Sequence, residues 1–506
     1  MANKTIYLLK SGNRLVVDPT TRRVFNILEP ELQYQAKKFL YGLEAKQAGS
    51  KVTIETYDLW TVDSKNRIAC PFGLYRRVTK ALRKAGYRVV LRSLDERDEY
   101  RFRPWWNRLQ ESDVQLRHGQ GTALKTVINR IQKGLPGRLD CPTGFGKSFM
   151  FGVIGRLLPK ARIHVVAKAA SVLRDTIYPD LCLQLPDVGI IGGGQKRNRE
   201  ARVMCYSVDS LHHSDGKADI LLGDECHTLA ADKASQKIAE IYGDSINIGF
   251  SATHDMRIDN KDMRVEALFG PVVYSMPYEE AVQHGLIVPM RVYWRTVSMD
   301  FDPCEGLDES VAKKRHGIWR NQFRNAVIAD DARQYDDDTQ VLITCETLEH
   351  AVHLKGQLPE FELVYREGGM DPDDRRRWIR KGLITPDEPE MTSERRQKLT
   401  TLFERNKLKK AIVTTVWNAG VDFRDLQVLI RADAGSSPIN NVQIPGRVSR
   451  LSDEKQYGII HDYWDVWNDG FRNKSHSRAR SYEAENWTQI GDQPSIQPKT
   501  WEFVNE

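Results

Sequence analysis

The chain has 506 residues, 40% hydrophobic and 28% charged, with a net charge of +7. It is too long for one hydrophobic core, and its length and composition indicate a soluble globular protein of about three domains. No run nears the ~18 uninterrupted apolar residues of a membrane span, Lys10 and Arg14 interrupt the only N-terminal candidate for a secretion signal, and seven scattered cysteines without a C-x-x-C pair exclude a disulfide or zinc framework and suit a cytoplasmic protein.

Charge is uneven: residues 1–110 hold 22 Lys and Arg against 11 Asp and Glu, and the remainder 53 against 57. A basic front end on a near-neutral body suggests a polyanionic partner, or merely a soluble basic domain. Thr5–Leu9, Arg14–Val17, Val24–Leu28 and Val52–Leu59 are expected as strands, with turns at Ser11-Gly12-Asn13 and Asp18-Pro19-Thr20. Leu32–Lys46 reads as a helix ended by Gly49. Phe72–Ala85, between Pro71 and Gly86, is a helix with Leu74, Val78, Leu82 and Ala85 on one apolar stripe. Arg76, Arg77, Lys80, Arg83 and Lys84 crowd its other faces. They can lie along a phosphate backbone or simply be solvated. Tyr87–Leu91 closes a small N-terminal α+β domain, residues 1–100, expected to contact nucleic acid.

Asp95–Arg103 is a charged connector, and Thr122–Lys133 a helix stopped by Gly134 and Pro136. Gln120 precedes the stretch Cys141-Pro142-Thr143-Gly144-Phe145-Gly146-Lys147-Ser148 by about twenty residues. A glutamine so placed can read an adenine edge through one amide, though a helix-capping role is commoner. The stretch itself lies between an expected strand, Arg138–Cys141, and an expected helix, Lys147–Leu158. Gly144 and Gly146 can adopt positive φ and let the backbone close on a polyphosphate. Their N–H groups and the helix N-terminus form an anion cradle. Lys147 would hold the β- and γ-phosphates of ATP and Ser148 would ligate Mg²⁺.

Beyond it, strands are expected at Arg162–Ala167, Ile190–Gly194, Val203–Ser207, Ile220–Gly223 and Ile246–Phe250, with Ser171 capping a helix toward Leu181. Alternation of this kind implies a parallel sheet whose ligand site lies at the carboxyl ends of its strands. Asp224-Glu225-Cys226-His227 brings two carboxylates to that edge. Asp224 can hold Mg²⁺, Glu225 can deprotonate the attacking water, and His227 can relay loss of the γ-phosphate.

Gly285–Pro289 begins the passage to a second half. A helix is expected at Gly317–Asp330 and a strand at Val341–Thr344. Residues 366–399 are charge-dense, with Arg375, Arg376, Arg377, Trp378 and Arg380, and read as an insertion, either an exposed arm or a nucleic-acid contact. Alternation resumes with Ala411–Thr415 and Val428–Ala432. In Gln443-Ile444-Pro445-Gly446-Arg447-Val448-Ser449-Arg450 the two arginines, three apart, share one helical face. From an opposing domain they can act as arginine fingers on a phosphoryl-transfer transition state. Residues 461–482 read as an aromatic, basic, helix-like tail, and Trp487 and Trp501 follow.

The ordered set resembles superfamily 2 helicases and translocases over about residues 100–485. In that family's terms Gln120 is similar to the adenine-reading glutamine, Cys141–Ser148 to motif I, Asp224–His227 to a DExH motif II and Ser251-Ala252-Thr253 to motif III. Thr414–Asp422 resembles motif V and Gln443–Arg450 motif VI, which adds Asp422 and Gln443 to the nucleotide site and Thr415 to the nucleic-acid contacts. The resemblance implies two RecA-like parallel-sheet domains in tandem (residues 101–285 and 286–485, before a tail at 486–506), ATP with Mg²⁺, and a single strand passing over the top. Ser251 and Thr253 would couple hydrolysis to movement. Phe145 stands where many members have Ser, Ala or Thr, and Arg117–Gln120 departs from the usual Arg-Pro-x-Gln form. The DExH box and the Tyr278–Pro289 bridge look like the UvsW-type branch-migrating DNA helicases of tailed phages. That implies an ATP-dependent enzyme acting on forked or branched DNA in replication, recombination or repair, with no membrane partner and an oligomeric state, monomer included, left open. The alternatives are an RNA-directed or duplex-tracking motor and an ATP-switched DNA-binding scaffold.

Overall fold

The computed structural model describes residues 5–39, 52–95, 101–110, 114–252, 262–417, 421, 423–452 and 455–491. They form two compact units, Met1–Pro277 and Tyr278–Glu506. No described helix is long and apolar enough to cross a membrane.

In the first unit, β1 (Thr5–Ser11), β2 (Arg14–Asp18), β5 (Thr61–Val62), β6 (Ile68–Pro71) and β7 (Arg88–Ser93) make a sheet in the order β5-β6-β2-β1-β7, while β3 (Gln33–Phe39) and β4 (Val52–Asp58) pair as a separate ribbon. Val24–Leu28 is helical, not a strand. The helix Arg22–Leu28 starts at Thr21, whose Oγ1 accepts from the Val24 N–H at 3.3 Å, and it buries Val24 and Leu28, one turn apart. Conversely, Gln33–Phe39 is extended, not helical. Leu32, Tyr34 and Ala36 are buried, whereas Gln33 is half-buried and Gln35 exposed, a period of two. Tyr34 stacks on Tyr57 directly across the ribbon at 5.3 Å. Residues 40–46 of that expected helix, and Gly49, lie outside the described residues.

Helix Tyr75–Lys84 lays Val78 and Leu82 on Ile6, Leu8, Leu15 and Val17 of the sheet. This small domain docks closely on the rest of its unit. Asn13 N donates to Gly243 O at 2.6 Å, and a Cβ on Gly73 would lie 2.1 Å from Glu266 O, so only glycine lets the chain approach helix Asp262–Phe269 there.

The larger sheet of this unit contains β8 (Gly137–Asp140), β9 (Ile163–Ala167), β10 (Val188–Gly192), β11 (Gln195–Arg197), β12 (Val203–Ser207), β13 (Ile220–Asp224), β14 (Ile246–Ser251) and β15 (Val272–Ser275), ordered β11-β10-β12-β9-β13-β14-β8-β15. Its strands are parallel except for β11, which folds back on β10 and carries Lys196 and Arg197. Buried on both faces, β9, β12, β13 and β14 read as continuous apolar runs. Ser171 does not cap the helix after β9. Ala169 holds the cap position, and the helix continues through a π turn at Leu173–Ile177 into Tyr178–Gln184.

The second unit holds a seven-stranded parallel sheet, β18-β19-β17-β20-β21-β16-β22, from β16 (Met290–Val297), β17 (Val341–Thr344), β18 (Glu362–Val364), β19 (Lys410–Val413), β20 (Val428–Arg431), β21 (Gly458–Asp465) and β22 (Thr488–Gly491). Both large sheets are RecA-like. Residues 366–399 do not interrupt the alternation. Their helices, Pro372–Arg380 and Ser393–Glu404, form the crossover between the parallel neighbours β18 and β19. The expected helix at 317–330 breaks at Asn321, which caps Gln322–Arg333 by accepting from Arg324 N, after a π turn at Arg315–Trp319. Nor is 461–482 one helical tail: His461–Trp464 lies in the inner strand β21, and the helix is Asp469–Ala484. Strand β22 adds an edge to the sheet from within the expected tail, and Trp501 lies outside the described residues.

Candidate functional site

In the first unit the loop Cys141–Gly146 leaves β8 and enters helix Lys147–Leu157. Cys141 N donates to Ser251 O at 3.0 Å, which seats the loop against the end of β14. Gly144 and Gly146 have φ of 92° and 89°, the left-handed region that favours glycine. Phe145 is fully buried beside Tyr274 and anchors the loop, while Pro142 and Thr143 are half-buried. Burial pushes the Cys141 thiol well up, so it acts as an inert filler.

Gln120 packs inward against the phosphate loop. It is buried, its Nε2 donates to Phe145 O at 2.7 Å, and its Oε1 accepts from Arg117 N at 2.9 Å. Arg117 Nη2 donates to Gly144 O at 2.9 Å. This pair tethers the loop from the adjoining helix, a role its sequence position did not reveal.

Asp224 ends β13, and Glu225 follows in a left-handed conformation, φ 43° and ψ 56°. The Glu225 carboxylate forms an ion pair with Lys147. Its other oxygen accepts from Ser251 Oγ at 3.3 Å and Ala252 N at 3.4 Å, and His227 Nδ1 lies 2.6 Å from Ser251 Oγ. Lys147, Glu225, Ser251 and His227 thus form one connected polar chain along the carboxyl edge of the sheet. Thr253 lies outside the described residues.

Burial works against the Lys147 ammonium, but Glu225 and Asp224 outweigh it and hold its pKa above the ordinary value. Burial likewise opposes ionisation of Glu225, yet Lys147 and His227 keep its carboxyl below the usual range. Burial first, and the Glu225 charge second, push Asp224 up to about 7. That carboxylate is short of positive charge. With the Ser148 hydroxyl it supplies a hard, all-oxygen donor set, which fits Mg²⁺, and the glycine loop with Lys147 fits a polyphosphate.

In the second unit Gln443 ends helix Pro438–Gln443, and Arg447 sits in the short 3₁₀ turn Pro445–Ser449. Arg450 follows that turn with an extended backbone, so the two arginines do not share an α-helical face. Burial lowers both guanidinium groups to about 10. Arg447 is 7% exposed, its Nη1 donates to Val421 O at 2.8 Å, and its Nε has no partner among the described residues. A buried cation held by a carbonyl suits an anionic ligand. Thr415 is exposed just beyond the end of β19, and Asp422 lies outside the described residues.

The sequence also gave no sign of what fixes this element. Arg431 makes a two-pronged pair with Asp433, and its Nη1 donates to Asn441 Oδ1 at 3.0 Å and Tyr482 OH at 2.8 Å. Asn441, two residues before Gln443, donates to Ser481 Oγ at 3.1 Å. Tyr482 OH donates to Asp462 Oδ2 at 2.7 Å, and Asp462 accepts from Arg478 Nε.

On the basic helix of the small domain Arg76, Lys80, Arg83 and Lys84 lie at the surface. Arg77 is not part of that face: it pairs with Glu266 at 2.9 Å and helps dock the domain.

Residues 113–256 match the family model "Type III restriction enzyme, res subunit", and residues 384–452 match "Helicase conserved C-terminal domain". The chain is 23% identical to "Putative helicase 22" of Sulfolobus islandicus filamentous virus over 70% of its own length and 65% of that protein's. It is also 23% identical to "DNA 3'-5' translocase XPB2" of Sulfurisphaera tokodaii, over 69% of its own length and 81% of that protein's. Among solved structures, T4 UvsW aligns over 96% of this chain and 98% of its own, at 15% identity and a TM-score of 0.40.

Proposed function

We propose that this chain, which carries the two domains of the superfamily 2 helicases, is an ATP-driven DNA helicase or translocase acting on forked or branched DNA. One observation carries the reading: a glycine-shaped anion loop whose lysine is ion-paired with the carboxylate that follows Asp224. ATP with Mg²⁺ supplies the phosphoanhydride bond whose cleavage drives the cycle. Lys147 and the loop amides hold the phosphates, and Ser148 and Asp224 hold the metal. Glu225 orients and deprotonates water, and Ser251 and His227 pass the change in its surroundings to neighbouring strands. Arg447 and Arg450 supply positive charge for the developing transition state.

Substituting Lys147→Ala is expected to cut DNA-stimulated ATPase by about 10²–10³-fold, and parent-like turnover would refute the site. Similarity to a protein named as a DNA translocase keeps one rival in view, a motor that tracks duplex without separating strands. Unwinding of forks, four-way junctions and tailed duplexes, beside ATPase stimulation by duplex DNA and RNA, separates the two.

A further inference from the structure

Ser148 Oγ donates to Oδ2 of Asp180 at 2.7 Å. Asp180 belongs to another element, helix Tyr178–Gln184, 32 residues along the chain, and no role proposed above uses it. Close packing holds the two helices together. A Cβ on Gly152 would lie 2.4 Å from Gln184 Cδ, and one on Gly155 would lie 2.7 Å from Leu185 Cδ1. A Cβ at either position would displace the Gln184 or Leu185 side chain from its seat between the helices. Gln184 is pinned in turn: its carbonyl accepts from Arg156 Nε at 2.8 Å, and its Nε2 donates to Asp180 O at 3.3 Å. The π turn at Leu173–Ile177 widens the helix just upstream and changes the rotation of every residue after it, Asp180 included.

A hydroxyl that gives a lone pair to a divalent cation must send its hydrogen elsewhere, and the cation makes that hydrogen a stronger donor. An acceptor fixed in line with the hydrogen therefore aims the lone pairs. We infer that Asp180 is a positioning residue for magnesium coordination, holding the Ser148 hydroxyl so that its lone pairs face the phosphate loop. The inference rests on the metal role proposed for Ser148 and adds a carboxylate that would not itself touch the metal. Partners of this kind typically contribute 10–100-fold to metal affinity.

The test titrates MgCl₂ against binding of a fluorescent ADP analogue by the full chain, with a parallel measurement in EDTA. Asp180→Ala is expected to raise the Mg²⁺ concentration for half-maximal effect about 10-fold while leaving EDTA affinity within about twofold of the parent. Asp180→Asn keeps an oxygen acceptor and is expected to recover part of the shift. Ser148→Ala should also shift the titration, and adding Asp180→Ala to it should shift it no further. The inference is overturned if Ser148→Ala shifts the titration but Asp180→Ala does not, or if the two effects add. Equal loss in EDTA would mark a packing defect and overturn it as well. If Ser148→Ala itself leaves the titration unmoved, the metal role of Ser148 fails first and the inference with it.

Discussion

Glu225 holds a left-handed backbone that a glutamate adopts at a cost of about 1–3 kcal/mol. Its surroundings offset that cost. Thr228 N and Oγ1 each donate to its carbonyl at 2.8 Å, and Lys147, Ser251 and Ala252 meet its carboxylate. Glu225→Gln keeps the shape and removes the charge. Steady-state ATPase is expected to fall about 10²–10³-fold with nucleotide affinity retained. Asp433 offers a second test at this scale. Burial opposes its ionisation, but Arg431 wins and holds the carboxyl at about 2, below the ordinary 3.8. A depressed carboxyl stabilises the fold fully above its unfolded value and loses that contribution as pH falls through the folded one. The stabilisation is about 2 kcal/mol, so second-unit stability in urea should drop between about pH 4 and pH 2, and Asp433→Asn should remove that dependence. The adjacent pair Asp224-Glu225 was legible because one strand end delivers both. The contact of Glu225 with Ser251 was not, because it exists only once β13 and β14 lie side by side. That Gln120 braces the phosphate loop through Phe145 was not legible either, because spacing does not tell which way an amide points.

The basic helix Tyr75–Lys84 shows what an amphipathic pattern gives and withholds. Its apolar stripe was readable, and so was its abundance of cations. That one of them is taken up by Glu266 depends on a partner 189 residues away. Replacing Arg76, Lys80 and Arg83 with alanine should weaken forked-DNA binding and lower the salt slope by about one for each phosphate left without its cation. Arg77→Ala should leave that slope unchanged, since its charge is spent within the protein. Fluorescence anisotropy across a salt series checks both. Short apolar runs caused the misread elements. Val24–Leu28 fits either period over so few residues, and the three-residue strand β18 is too brief to announce itself, which made a crossover look like an insertion.

Across the whole chain, alternating strands and helices made both parallel sheets foreseeable, because parallel neighbours require crossovers. The edge strand β22 stayed hidden in a polar terminus whose pairing with β16 is decided by tertiary contacts. On the function proposed above, the small domain is expected to favour branched substrates. Removing the charge of Arg76, Lys80 and Arg83 is therefore expected to slow fork unwinding more than unwinding of a plain tailed duplex, measured by strand displacement.

The close seat of Gly73 against Glu266 also limits how this protein can be re-engineered. Ala267 is buried in the same apolar cluster as Ile6, Leu15 and Phe72, with Met263 and Leu135 packed beside it. A truncation starting after residue 95, or a graft of a foreign binding module in its place, would bare that surface to solvent. The front segment is not an interchangeable attachment, and fragments lacking it are expected to be insoluble.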